Sequence, residues 1–227
     1  MMSDLTPELL LCAYASGIFP MANDRDDPTV QWIDPHHRGI IPLDAYHVPR
    51  SVRKLLRQQR FEIRTNSAFE AVITACAECR DDRPRTWLND ELIALYCALH
   101  DRHYAHSVEC WIDDRLVGGA YGLSLGGAFF GESMFSRVRD ASKVALVDLI
   151  ERLNLGGYCL LDTQFVTDHL KRFGAIEIPR EAYLRRLQQA LAVEARFYSD
   201  EGVIVSSTPW PLRAGSVGSS QSTTQTS

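Results

Sequence analysis

Apolar residues along this chain of 227 residues recur with helical spacing near the start, alternate in the middle, and return to helical spacing afterwards. In "LTPELLLCAYASGIFP", Thr6 precedes Pro7 and Glu8, a helix start with proline in the first turn and an acid near the positive end of the dipole. Gly17 and Pro20 stop that helix. "QWIDPHHRGIIPLDAYHVPR" is rich in proline and turn residues and predicts short extended pieces. A basic amphipathic helix follows, with Val52, Leu55 and Leu56 largely opposite Arg50, Arg53, Lys54 and Arg57. "FEIRT" reads as a strand. "SAFEAVITACAECR" reads as a helix opened by a capping box of Ser67 and Glu70, and "NDELIALYCALHDR" as another, capped by Asn89.

From residue 106 the period changes to alternation. Turns at Asp113-Asp114 and Gly126-Gly127 divide the stretch into three antiparallel strands. "DASKVALVDLIERLNLGG" is a helix with Asp140 as its expected cap and Gly156-Gly157 as its stop. "YCLLDTQ" is a short buried strand, "VTDHLKRFGA" a helix ending at Gly174, and "REAYLRRLQQAL" a last helix. The tail "AGSVGSSQSTTQTS" has nothing to bury and is expected to be disordered.

Composition narrows the class. Hydrophobic residues make up 45% and charged residues 23%, as in globular proteins, and the length suits one large domain or two small ones. No apolar run is long enough to cross a bilayer and no secretory leader opens the chain, so a cytoplasmic protein without a membrane partner is expected. The six scattered cysteines read as reduced, buried thiols. A net charge of -5 argues against non-specific coating of nucleic acid, yet the helix at Arg50–Arg57 concentrates positive charge locally, as a solvated face or a phosphate-contacting one.

Three polar residues stand where strands should end: Glu132, Asp162 and Gln164. Asp162 and Gln164 are two apart, so a regular strand would point both to one face. The two acids are either members of a site or structural charges paired with Arg137, Arg139 or Lys143. Other candidates are less specific. "CAEC" is half a zinc site without its second half, His100, His103 and His106 cross a helix-to-strand boundary and read as surface or junction histidines, and His36-His37 lies in a loop. No metal site is expected.

The element order resembles the acyltransferase core of acetyl-CoA-dependent N-acetyltransferases. That implies an α+β fold in which a mainly antiparallel sheet is flanked by helices, with a small N-terminal region at 1–48, the acyltransferase-like domain at 49–212 and the tail at 213–227. In those enzymes a glycine-bearing loop holds the pyrophosphate. The corresponding junction here, "SRVRDASK", has no glycine, which disfavours coenzyme A.

Taken together, "AYASGIFPM", the loop with Trp32, Pro35 and Arg38, "RTWL", "YAHSVE", "LVGGAYG", "GESMFSR", "ASKVAL", "LLDTQ" and "GAIEIPREAYL" closely resemble the leucyl/phenylalanyl-tRNA-protein transferases. The resemblance implies an enzyme that moves leucine or phenylalanine, and less readily methionine, from aminoacyl-tRNA onto an N-terminal arginine or lysine, marking the acceptor protein for degradation. It implies no cofactor, since the ester already carries the energy of the new amide, and a monomer is expected. By position, Glu132, Asp162 and Gln164 correspond to the polar site residues, and Trp32, Trp87, Phe129, Met134 and Leu161 to the amino-acid pocket. Within that picture Gln164 positions the attacking amine, Asp162 polarises it or takes its proton, and Glu132 attracts the cationic acceptor side chain. Arg50, Arg53, Lys54 and Arg57 become the candidate tRNA contacts. Ile33 departs from the tandem tryptophan common in the family, implying a reshaped pocket wall, and the start near "DLTP" implies a reduced N-terminal domain. The competing readings are an acetyl-CoA-dependent N-acetyltransferase and a non-catalytic adaptor for basic N-termini.

Overall fold

The computed structural model describes residues 5–79, 85–198 and 204–207. Its elements are α1 (Pro7–Ala15), a hairpin of β1 (Phe19–Ala22) and β2 (Val30–Ile33), β3 (His37–Ile41), α2 (Arg50–Arg57), β4 (Glu62–Thr65), α3 (Phe69–Ala77) and α4 (Asp90–Asp101). The remainder comprises β5 (Ala105–Ile112), β6 (Arg115–Leu125), β7 (Ala128–Ser136), α5 (Ala141–Leu155), β8 (Leu160–Gln164), α6 (Asp168–Lys171), β9 (Ile176–Pro179), α7 (Arg180–Leu191), and a hairpin of β10 (Ala195–Tyr198) and β11 (Ile204–Ser207). Seven strands form the main sheet in the order β4-β5-β6-β7-β8-β3-β9, antiparallel throughout except where β7 meets β8.

The alternation read from the sequence builds the centre of that sheet. Asp113 and Asp114 both adopt left-handed backbone, the conformation of the two-residue turn that matches strand twist, and they connect β5 to β6. Apolar residues divide into two clusters. One packs α1, α3, α4 and α7 with residues such as Tyr121, Leu123 and Phe130, and the other packs α2 and α5 with Ile41, Val108, Phe129 and Leu161. The result is a mixed α+β fold with helices on both sides of a mostly antiparallel sheet.

Helix starts follow the sequence at two places and depart from it at two. Thr6 accepts from the Leu9 amide and Asn89 from the Leu92 amide, as their types predict. Ser67, expected to cap α3 with Glu70, instead donates to Glu109, whose carboxylate also accepts the Ala68 amide at 2.9 Å. A carboxylate from a neighbouring strand thus replaces the local capping box. Asp140 does stand at the N-cap position of α5, but its side chain caps no amide: its backbone is left-handed and its carboxylate pairs with Lys143, while the Ser142 amide donates to Ser136 Oγ at 2.9 Å.

Other expectations need correction. β3 is one of the short extended pieces expected in "QWIDPHHRGIIPLDAYHVPR", but it is an interior strand of the main sheet between β8 and β9, and β9 itself was hidden in "AIEIP". The helix expected across "VTDHLKRFGA" shrinks to α6, four residues long. His106 is no surface histidine but 2% exposed, stacked on Phe197. Of the six cysteines, all free, only Cys76 and Cys110 are buried. The tail at 213–227 lies outside the described residues, and no helix among the described residues is long and apolar enough to cross a membrane.

Candidate active site

Two irregularities in neighbouring strands open the site. β7 and β8 pair through only three positions, the last being Phe130 with Asp162. Just beyond, β7 carries one residue more than β6: Gly131 faces Gly122 and Ser133 faces Tyr121, leaving Glu132 as a bulge. β8 does the same against β3, where Gly39 faces Gln164 and Ile40 faces Asp162, leaving Thr163 over. Gly39 is required there, because a Cβ at this position would come within 2.7 Å of the Phe165 backbone and 2.9 Å of Thr163 Oγ1. The extra residues break the regular alternation, and Gln164 ends β8 with a left-handed backbone, φ 55.

The parted strands border a cavity of about 300 Å³, at the small end of the range that holds small molecules. Its walls are mostly apolar. Phe19, Pro20 and Met21 of β1 contribute to it, as do Trp87, Met134 and Leu161. Glu132 and Gln164 also line it, and Glu132 is the only acid that does so among the described residues.

Glu132 is held by three elements. Gln164 Nε2 donates to its Oε1 at 3.1 Å, and Tyr96 of α4 donates to its Oε2 at 3.0 Å. Tyr14 of α1 shares a hydrogen bond of 2.5 Å with Tyr96. Burial pushes the Glu132 carboxyl up to about 7, against the pull of the two phenols; the negative charge of Asp162 adds to the rise and Arg38 opposes it. The phenols of Tyr14 and Tyr96 are pushed well above their ordinary range, chiefly by burial, so they remain hydroxyl donors at neutral pH.

Asp162 occupies a different environment. It is fully buried, does not line the cavity, and faces Arg38 of β3, itself 1% exposed. Arg38 Nε lies 2.9 Å and 3.0 Å from the two carboxylate oxygens, and the second terminal nitrogen lies 2.7 Å from Oδ2. Tyr183 donates to the same carboxylate at 2.6 Å and the Gln164 amide donates to it at 2.8 Å. The partner is therefore none of the three cations expected from the sequence. Arg137 pairs with Glu78, and Arg139 and Lys143 pair with Asp140.

Of the sequence-derived site residues, Glu132, Gln164, Trp87, Met134 and Leu161 converge on the cavity. Phe129 does not line it: its ring is fully buried and packs beside Tyr158 and Phe197. Trp32 is 40% exposed on β2, opposite Pro20. Arg50, Arg53, Lys54 and Arg57 all lie exposed on α2, with Val52 buried beneath them. Sequence reasoning missed Tyr14, Tyr96 and Tyr183 as polar partners, since a tyrosine at helical spacing reads as core; Arg38 was visible only as a loop residue.

Residues 40–188 match the leucyl/phenylalanyl-tRNA protein transferase family, and residues 3–36 match the N-terminal domain of the same family. Among named leucyl/phenylalanyl-tRNA-protein transferases, that of Paramagnetospirillum magneticum is 60% identical over 86% of this chain and 94% of its own length. That of Maricaulis maris is 59% identical over 84% and 88%, and that of Zymomonas mobilis 56% identical over 83% and 70%. A solved domain of a putative lysylphosphatidylglycerol synthetase from Agrobacterium fabrum aligns over 81% of this chain and 62% of its own, at 13% identity and a TM-score of 0.41, too slight a likeness to argue from. Matched along nearly all of its described length by sequence, the chain belongs to the leucyl/phenylalanyl-tRNA-protein transferase family, whose members are aminoacyltransferases.

Proposed function

We propose that the protein takes leucine or phenylalanine, and less readily methionine, from aminoacyl-tRNA and joins it to the N-terminal arginine or lysine of an acceptor protein, tagging that protein for degradation. The observation that carries this reading is an acid and a carboxamide, hydrogen-bonded to each other, at the wall of a mostly apolar cavity. The apolar walls suit an unbranched Cβ bearing a hydrophobic group, and the polar pair suits the reacting amine.

The reaction is aminolysis. The acceptor's α-amine attacks the ester carbonyl, a C–N bond forms, and the bond from the carbonyl carbon to the ribose oxygen breaks. An α-amine with an ordinary pKa near ~8 arrives mostly protonated, so one proton must leave before attack. We assign that proton to Glu132, which faces the cavity and titrates in the neutral range. The second proton, shed by the nitrogen as the amide forms, goes to the departing ribose oxygen. Gln164 gives its Nε2 hydrogen to Glu132, which leaves its Oε1 to receive an amine N–H and orient the nucleophile. Asp162 acts one step back, holding the Gln164 backbone.

The exposed cations of α2 are the proposed contacts for tRNA phosphates, which would position the substrate rather than read its sequence. The protein is proposed to act as a monomer in the cytoplasm, where charged tRNA is found. The test is incubation with tRNA charged with labelled leucine and a peptide beginning with arginine. Label on the peptide that vanishes when alanine comes first supports both reaction and acceptor rule. Binding without transfer supports the adaptor reading, and no response to either refutes the proposal.

A further inference from the structure

Arg38 joins two parts of the site that the reaction needs separately. Its guanidinium holds Asp162 through three contacts and donates to the Gly17 carbonyl at 3.0 Å. Its guanidinium carbon lies over two rings, Phe19 at 4.4 Å and Tyr183 at 4.6 Å. Asp162 in turn accepts the Gln164 backbone amide, in the residue whose side chain reaches Glu132. Phe19 lines the cavity and meets Phe165, another lining ring, edge-on at 5.8 Å. One planar cation is thus in contact with the carboxylate behind the polar pair and with the aromatic wall that faces the transferred side chain.

We propose that Arg38 is a positioning residue that fixes both the reacting polar pair and the apolar wall that selects the amino acid. A guanidinium suits this place because a planar, delocalised fork can hold a carboxylate side-on through several N–H groups while its carbon lies over aromatic rings. Lysine would keep the charge and lose the geometry. The positive charge has a second effect. Glu132 is faced by Tyr14 from α1, Tyr96 from α4, Tyr121 from β6, Gln164 and Asp162 from β8, Arg38 from β3 and Tyr183 from α7. Among these, Asp162 opposes the ionisation of Glu132 and Arg38 favours it. Removing Arg38 alone therefore makes Glu132 harder to ionise, whereas removing both buried charges cancels that effect.

The experiment compares the wild type with Arg38→Lys, Arg38→Met and the double variant Arg38→Met with Asp162→Asn. For each, kcat/KM is measured for leucyl- and phenylalanyl-tRNA between about pH 5 and about pH 9, beside thermal unfolding. In Arg38→Met the acid limb should move up by about one pH unit and return in the double variant. All three variants should change the leucine-to-phenylalanine ratio by roughly threefold or more, the scale on which a pocket wall discriminates. A lowered Tm with the limb and the ratio both unmoved would make Arg38 merely structural and overturn the proposal. Should Arg38→Met not fold, the double variant, which removes the buried Arg38 and Asp162 charges together, still decides, because a wild-type ratio in it overturns the proposal as well. The inference rests on Glu132 as the titrating acid. If the wild type itself has no acid limb near 7, that assignment falls, whereas a wild-type limb that Arg38→Met leaves in place counts against Arg38.

Discussion

Tyr14 and Tyr96, from two different helices, meet hydroxyl to hydroxyl at 2.5 Å, and Tyr96 hands the chain of hydrogen bonds on to Glu132. The arrangement supports the ionised carboxylate, because a donor is worth more to a charged acceptor than to a neutral one. Tyr96→Phe removes that donor. The acid limb of the pH-rate profile is expected to rise by about half a unit to one unit, the equivalent of one hydrogen bond. Transfer should fall more at pH 6 than at pH 8. Rates measured at both values check it.

Glu132→Gln should separate activity from stability. Without an acid to take the amine proton, kcat/KM is expected to drop by about 100-fold or more. Stability should move the other way. The folded protein raises this carboxyl from 4.5 to about 7, so the native state binds the proton more tightly than the unfolded chain. Stability from this group is complete below the unfolded value and is lost as pH rises through the folded one. At pH 8 the glutamine variant should therefore gain at most roughly 3 kcal/mol, and little at pH 4, as denaturant melts at the two pH values would reveal.

Met134 tests the cavity. Met134→Ala widens the wall beside Glu132, removing apolar contact from a small substrate more than from a large one. Leucine transfer is expected to fall by roughly 10-fold and phenylalanine transfer by less. Competition between the two charged tRNAs in one reaction measures the ratio directly.

Replacing Arg53, Lys54 and Arg57 by alanine leaves the buried Val52 in place, so the fold should persist. Affinity for aminoacyl-tRNA should weaken, and the slope of log K against log salt should shrink by about one for each lost phosphate contact. Transfer to the peptide at saturating tRNA should stay close to wild type. An unchanged salt slope would move the tRNA contact away from α2.

Legibility in the sequence followed the range of the interaction. The β5-β6-β7 hairpins could be read because their turns and alternation are local, and α1 and α4 because their caps sit beside them. β3 could be read only as extended backbone, since five residues framed by prolines and histidines join the main sheet only by pairing with β8 and β9, more than a hundred residues away. The same holds within the site. Glu132 and Gln164 stand out as polar residues ending apolar runs, whereas the Arg38 partner of Asp162 is 124 residues distant. Type and spacing name the groups, but only the folded chain says which acid faces the cavity.

The extra residue in β7 also bears on how this protein can change over time. Deleting a single position between Gly131 and Ser133 would restore an unbroken ladder with β6 and a more regular hairpin. The same deletion would remove the acid at the cavity or swing the residues after it to the opposite face. Mutational drift toward a tidier sheet therefore leads away from chemistry. The irregular register can persist in a lineage only while transfer itself is under selection, and a descendant that has lost the activity should be the place to find it ironed out.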